Sequence, residues 1–180
     1  MAGLFGKLPA HGDFVARGWP EPVRDAVDGW LTGGMLLLRN GAQDEAAFAE
    51  RMCAAPVWYA YVPPGLLTPL ALHIVLAASI DRAGRWFPIV GGMAGAAAAV
   101  WARAGALPAL AAAIMAGRAG AVDADGLVTL LTAAIGDADV VAAKPPVTAR
   151  WWCGGDAAMI DGPTVDAALL GRLLCEGCAR

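Results

Sequence analysis

Residues Leu70–Met93 read LALHIVLAASIDRAGRWFPIVGGM, in which two apolar runs of strand length flank the polar segment Asp81–Arg85. A continuous apolar run bounded by turn residues is typical of a strand buried on both faces. The glycine in the polar segment can take the positive φ of a tight loop. The pattern therefore predicts a hairpin at the centre of a sheet. We expect Asp81, Arg82 and Arg85 at its solvated tip, because burying three charges is costly.

Helical and strand-like blocks lie on both sides of this hairpin. A helix is predicted to begin near Glu21, because apolar residues then recur at helical spacing; they are Val23, Val27, Trp30 and Leu31. Other blocks predict helices at 44–53, 94–104, 108–116, 126–135 and 165–175, and strands at 4–8, 13–16, 57–62 and 147–153. Hairpin strands combined with helical blocks predict the α/β class, as a three-layer α/β/α sandwich with a mixed sheet.

Composition limits the classes of function. The length of 180 residues, with no long linker, fits a single domain over 1–180. A net charge of −3 argues against binding to nucleic acid. The most apolar stretches, 66–80 and 89–102, are interrupted by proline, histidine or glycine and are shorter than the roughly 20 residues of a spanning helix. We therefore expect a cytoplasmic protein without membrane insertion.

Groups that support catalysis are few in this sequence. Ser79, the single serine, is not in a nucleophile motif, and His73 lies in an apolar run where a core histidine is expected. His11 and Asp13, two residues apart, could together position a base. This leaves, as an alternative function, a small-molecule-binding or enzymatic α/β domain that uses a cluster of His11, Asp13 and Arg85. The Cys175/Cys178 pair lacks the second ligand pair of a structural zinc site. We therefore predict no catalytic set, no metal and no cofactor.

Trp19 stands between Gly18 and Pro20, outside any regular pattern. Tryptophan is enriched among residues that anchor protein partners. Among the seven tryptophans, Trp19 is therefore the best candidate for an exposed residue that anchors a partner.

In Gly6–Pro20, Ser79–Ile89 and Arg150–Gly155, the sequence resembles the TagF family of proteins associated with bacterial type VI secretion. The family's G-K-x-P-x-x-G-D-F pattern is matched by Gly6, Lys7, Pro9, Gly12, Asp13 and Phe14, followed by Arg17, Gly18 and Pro20. Its S-x-D-x-x-G-R-x-F-P pattern is matched by Ser79, Asp81, Gly84, Arg85, Phe87 and Pro88, and its A-P-x-W by Ala55, Pro56 and Trp58. The later W-W-x-D-G pattern is matched loosely, because Trp151 and Trp152 are followed by a displaced Asp156.

The resemblance implies a cytoplasmic α/β/α protein that is not an enzyme and represses type VI secretion after translation. The implied partners are components of the secretion apparatus, notably the scaffold protein with a forkhead-associated domain. A PP2C-type phosphatase is implied in the same pathway. An adaptor for a membrane component is a further alternative.

The two matched motifs suggest one candidate site. We expect the loop Ala10–Arg17 to lie beside the segment Asp81–Arg85, with Asp13 close enough to pair with Arg82 or Arg85. This arrangement could be a structural clamp or a recognition surface. The candidate residues are Lys7, Gly12, Asp13, Phe14, Arg17, Trp19, Asp81, Arg82 and Arg85.

Overall fold

The computed structural model describes residues 1–153 and 158–175, so Asp156 and Cys178 of the sequence patterns lie outside it. Within these residues the strands are β1 (Ala2–Gly6), β2 (Val15–Arg17), β3 (Trp58–Val62), β4 (Ala71–Ala77), β5 (Ile89–Gly95), β6 (Ala149–Cys153) and β7 (Ala158–Gly162). The helices are α1 (Glu21–Asn40), α2 (Glu45–Ala54), α3 (Ala97–Trp101), α4 (Leu107–Arg118), α5 (Ala124–Gly136) and α6 (Ala167–Cys175).

The seven strands form one sheet in the order β2-β1-β5-β4-β3-β6-β7. Every pair of neighbouring strands is antiparallel. The predicted mixed sheet is therefore wrong. The helical blocks suggested parallel crossovers, but α1 and α2 connect β2 to β3, and α3, α4 and α5 connect β5 to β6. Each of these connections joins strands that are not neighbours, so neither creates a parallel pair.

The apolar runs of residues 70–93 form β4 and β5, antiparallel neighbours in the interior of the sheet. Every residue of β4 is buried, as expected of a strand covered on both faces. Residues 78–88 connect the two strands, and an isolated bridge pairs Ile80 with Trp86 within this segment.

Alternate residues of β4 belong to two hydrophobic clusters. Leu72, Ile74 and Leu76 pack in a cluster with residues of α1, α2 and α6, which we call the α1-side cluster. Val75 and Ala77 pack in a second cluster with residues of α4 and α5, which we call the α4-side cluster. Helices and sheet therefore share their hydrophobic cores, and the predicted α/β class is confirmed.

The long first helix is the element that the sequence predicts best. All four residues of its predicted apolar face are buried in the α1-side cluster. The N-cap of α1 is Pro20, and α1 continues without interruption to Asn40. Among the described residues, none of the helices combines the length and apolar character that crossing a bilayer requires.

Candidate functional site

The site begins with a buried carboxylate where β4 leaves the sheet. Asp81 is 1% exposed, and its Oδ2 accepts hydrogen bonds from Lys7 Nζ at 2.9 Å and from Arg85 Nε at 2.7 Å. Its Oδ1 accepts from the backbone N–H groups of Ala83 and Arg85, both at 2.9 Å. We call Lys7, Asp81 and Arg85 the Asp81 cluster. The expected solvated position of Asp81 is wrong, because these donors compensate its desolvation.

Two opposing effects act on the pKa of Asp81. Burial raises it, while hydrogen bonds from the backbone of Arg85 and from the side chains of Lys7 and Arg85 lower it. The net result is a pKa below the ordinary carboxylate range. Asp81 is therefore ionised throughout the physiological pH range.

The two motif segments lie side by side, as expected from the sequence. Arg85 Nη2 donates to the carbonyl of Gly12 at 2.7 Å, and the Arg82 N–H donates to the carbonyl of His11 at 2.8 Å. The carboxylate of Asp13 accepts a hydrogen bond from the Phe14 N–H at 2.8 Å. The ion pair expected between Asp13 and an arginine is formed instead by Asp81 with Lys7 and Arg85.

The N-terminal loop is also attached to the start of α5. His11 Nε2 accepts a hydrogen bond from the N–H of Ala124 at 3.1 Å, and Arg17 Nε pairs with Asp125 Oδ1 at 2.6 Å. In this arrangement the His11 imidazole is the acceptor for a backbone N–H at the first turn of a helix. His11 is therefore bound to α5, while Arg85 is bound to Asp81.

Phe14 is the exposed aromatic residue of the site. Its side chain is 46% exposed, stacks on Phe5 with 5.8 Å between ring centroids and meets Phe87 edge-to-face at 4.7 Å. The ammonium of Lys7 lies 5.0 Å from the centre of the Phe14 ring. A cation over the face of an aromatic ring is attracted by the ring's quadrupole. The Asp81 cluster therefore supports an aromatic side chain that faces solvent.

Trp19 is not exposed, so this sequence prediction is wrong. It is 8% exposed and packs against Gly3 of β1, where an added Cβ would overlap the indole ring. Its loop position suggested solvent exposure. The absence of a side chain at Gly3 is what lets the ring lie on the sheet.

An open groove runs between Phe14 and α1. Phe14, Trp86 and Phe87 form one wall, and Thr32, Met35 and Leu36 are part of the other. Its volume is about 570 Å³. We call it the Phe14 groove. Sequence reasoning missed the residues of α1, although the run of apolar residues at 35–38 is wider than one buried helix face needs.

His73 is a further buried ionisable group and lies away from the groove, in β4. It is fully buried, with the rings of Tyr61 and Trp101 at centroid distances of 5.3 and 5.5 Å. Burial lowers the pKa of His73 to about 4. The residue is therefore a neutral core histidine at physiological pH.

These features define an antiparallel α/β domain in which a buried carboxylate joins two motif-bearing loops beside an aromatic groove. The chain belongs to the family of the TagF N-terminal domain, type VI secretion system-associated, whose family model matches residues 3–126. The resemblance to the TagF family is thus confirmed, and the protein is type VI secretion-associated.

A solved structure supports the same fold over the whole chain. The crystal structure of PA0076 from Pseudomonas aeruginosa PAO1 superposes with a TM-score of 0.79 at 21% sequence identity, covering 100% of this chain and 96% of that chain. At this identity the likeness concerns the fold alone. None of the curated proteins compared matches this chain.

Proposed function

We propose that this protein is a non-enzymatic cytoplasmic regulator that represses type VI secretion after translation by binding components of the apparatus. The observation that carries the proposal is the arrangement of the two family motifs. Three of their charged residues form one cluster, in which Lys7 and Arg85 both pair with Asp81, while the aromatic Phe14 faces solvent. An exposed aromatic side chain held by its neighbours is the kind of residue that anchors a protein partner.

The direct partner in this proposal is the scaffold protein with a forkhead-associated domain. A PP2C-type phosphatase acts in the same pathway rather than as part of this chain. The two hydrophobic clusters on alternate faces of β4 support the three-layer α/β/α arrangement that would carry the surface.

A non-enzymatic role is favoured by how the alternative catalytic residues are used. His11 accepts from Ala124, Asp13 from the Phe14 backbone, and Arg85 binds Asp81 and Gly12. A general base needs a free lone pair directed at substrate. The contacts of His11 and Arg85 instead join the N-terminal loop to α5 and to the segment Asp81–Arg85.

The test combines capture and secretion. The tagged protein is expressed in its own host, and co-purification of the forkhead-associated scaffold is measured beside the level of secreted apparatus protein. We expect the scaffold to be captured and secretion to fall while transcript levels stay constant. Unchanged secretion without capture of the scaffold would contradict the proposal.

A matched pair of variants links the result to the site. Phe14→Ala removes the exposed aromatic, whereas Val147→Ala removes an apolar side chain that is 82% exposed and outside the matched family region. We expect only Phe14→Ala to weaken capture. Equal capture by both variants would show that Phe14 is not part of the binding surface.

A further inference from the structure

The α1 wall of the Phe14 groove is formed by residues that repeat at helical spacing. Asp28, Thr32, Met35, Leu36 and Arg39 all line the groove. They follow one another at spacings of four, three, one and three residues, which places them on one face of the helix. At 1.5 Å per residue this face is about 16 Å long. The groove is therefore an elongated slot that runs beside three turns of α1.

The two ends of this wall carry opposite charges. Asp28 stands at one end, where its carboxylate accepts a hydrogen bond from Thr32 Oγ1 at 3.0 Å. Arg39 stands at the other end, where its guanidinium pairs with Glu45 at 3.4 Å. Both side chains of that pair are more than half exposed, and exposed ion pairs contribute little free energy. Arg39 is therefore available to a partner carboxylate.

The middle of the slot is apolar on both walls. Leu36 is 60% exposed on α1, and Phe14 faces it from the motif loop beside Trp86. Recognition by added β-strands needs an open sheet edge, whereas this slot is bounded by side chains of a helix and of loops. A helix seated in such a groove is bound through apolar side chains at positions i, i+4 and i+7, without backbone hydrogen bonds.

We propose that the Phe14 groove binds an amphipathic helical segment of about three turns from an apparatus protein. Its apolar side chains contact Phe14, Leu36 and Trp86, a basic residue pairs with Asp28, and an acidic residue pairs with Arg39. This inference rests on the proposed function and specifies the recognition chemistry of that surface.

Two neighbouring leucines give a matched pair for the test. Leu36 lines the groove, whereas Leu37 is 51% exposed on the same helix and lines a different depression beside α6. Leu36→Asp and Leu37→Asp therefore make the same chemical change at adjacent exposed positions. Thermal unfolding of both variants verifies that they are folded.

The first measurement uses purified full-length protein and labelled synthetic peptides. The peptides have about 16 residues, long enough for three turns and their ends. Each carries Leu or Phe at i, i+4 and i+7, an acidic first turn and a basic last turn. We expect fluorescence anisotropy to show binding that Leu36→Asp weakens about 10-fold or more. Leu37→Asp should stay within about 2-fold of the unmodified protein. Absence of binding across the peptide set, or equal losses in both variants, overturns the proposal.

A second measurement addresses the charged ends. Asp28→Lys should weaken binding of the same peptides about 5-fold and reduce its dependence on salt concentration. Asp25→Lys is the control, since Asp25 lies one turn earlier on α1, pairs with Arg24 and does not line the groove. Equal effects of the two substitutions would show that only net charge matters and would overturn the assigned pairing.

Capture of the purified forkhead-associated scaffold separates this inference from the proposed function. If the scaffold binds all variants equally, the groove assignment fails while the proposed function stands. If the peptides bind as expected but the scaffold does not, the scaffold is the wrong partner and the groove assignment stands.

Sedimentation of the free protein tests whether a second copy of this chain occupies the groove instead. A dimer that Leu36→Asp dissociates would assign the groove to a second copy of this chain and overturn the proposal.

Discussion

Asp81 keeps a full negative charge in a buried position because four hydrogen bonds replace the water that it loses. Two of the donors are backbone N–H groups of its own loop, and the other two are Lys7 and Arg85. The side chain of Lys7 is itself 8% exposed, so each of these two charges depends on the other. A buried pair adds little net stability compared with apolar residues, but removing one partner is strongly unfavourable.

Lys7→Met should therefore destabilise the protein. Loss of the ammonium leaves Asp81 with Arg85 as its only side-chain cation among the described contacts, and we expect the free energy of unfolding to fall by about 3 kcal/mol. Arg17→Met breaks the exposed Arg17–Asp125 pair and should cost less than about 1 kcal/mol. Urea denaturation of the two variants measures both values. Equal losses would show that the Asp81 cluster is not a structural clamp.

His73 makes stability depend on pH in a defined window. Its pKa is about 4 in the folded protein against 6.5 in the unfolded chain, so the unfolded state binds more protons between these values. The contribution of His73 to the free energy of unfolding has its full value above pH 6.5. It falls as the pH decreases towards 4, by about 3 kcal/mol in total. Because the pKa of Asp81 is lowered below its ordinary value of 3.8, its contribution is lost only at more acidic pH.

Replacing His73 isolates its contribution. Urea denaturation at a series of pH values should give a curve that rises between pH 4 and pH 6.5 for the unmodified protein. His73→Leu should flatten this part of the curve, because the buried leucine does not titrate. An unchanged slope in the variant would assign the pH dependence to other groups.

Two glycines in α1 show how an element can depend on one position. Gly34 packs against α6, and a Cβ at this position would lie 2.6 Å from the Cβ of Leu170. Gly29 lies on the same helix and has open space around its Cα. The contact between α1 and α6 is therefore close at Gly34 and absent at Gly29.

Alanine substitutions at these positions should have opposite effects. Gly34→Ala forces α6 away from α1 and should lower the free energy of unfolding by about 2 kcal/mol. Gly29→Ala should raise it by about 1 kcal/mol, because alanine loses less backbone freedom in a helix. Thermal or chemical denaturation measures both changes. Destabilisation by Gly29→Ala would contradict the assigned geometry of α1.

Elements with a strong local pattern were predictable, and elements defined by their neighbours were not. The helix α1 was predicted from Glu21 because its apolar residues repeat at helical spacing. The strand β7 was missed, since Ala158–Gly162 is short and contains an Asp-Gly pair that is typical of a turn. Its strand conformation comes from pairing with β6. The antiparallel order of the sheet was likewise set by long-range pairing, which no local pattern contains.

The same distinction applies to the candidate site. The motifs predicted that the N-terminal loop lies beside residues 81–85, and the Gly12–Arg85 hydrogen bond agrees with this. The sequence favoured Asp13 as the partner of the arginine, whereas Asp81 takes this role, because the burial of Asp81 depends on tertiary packing. It also could not place Leu36 opposite Phe14, since that proximity depends on how α1 packs on the sheet.

At the scale of the whole molecule, the single sheet connects the two hydrophobic clusters. Leu76 in β4 belongs to the α1-side cluster, and its neighbour Val75 belongs to the α4-side cluster. The Asp81 cluster adds a link between the end of β1 and the connection that follows β4. A substitution that weakens packing in one cluster therefore also affects a strand that packs in the other cluster.

We expect the chain to unfold as a single cooperative unit, as a single domain over 1–180 should. Leu170→Ala in the α1-side cluster and Leu127→Ala in the α4-side cluster each remove a fully buried side chain and should each cost about 3 kcal/mol. Because both clusters share β4, each variant should shift the entire unfolding curve, with far-UV circular dichroism and tryptophan fluorescence giving the same midpoint. Two separate transitions, or a variant that shifts only one probe, would show that the helices on the two clusters unfold independently.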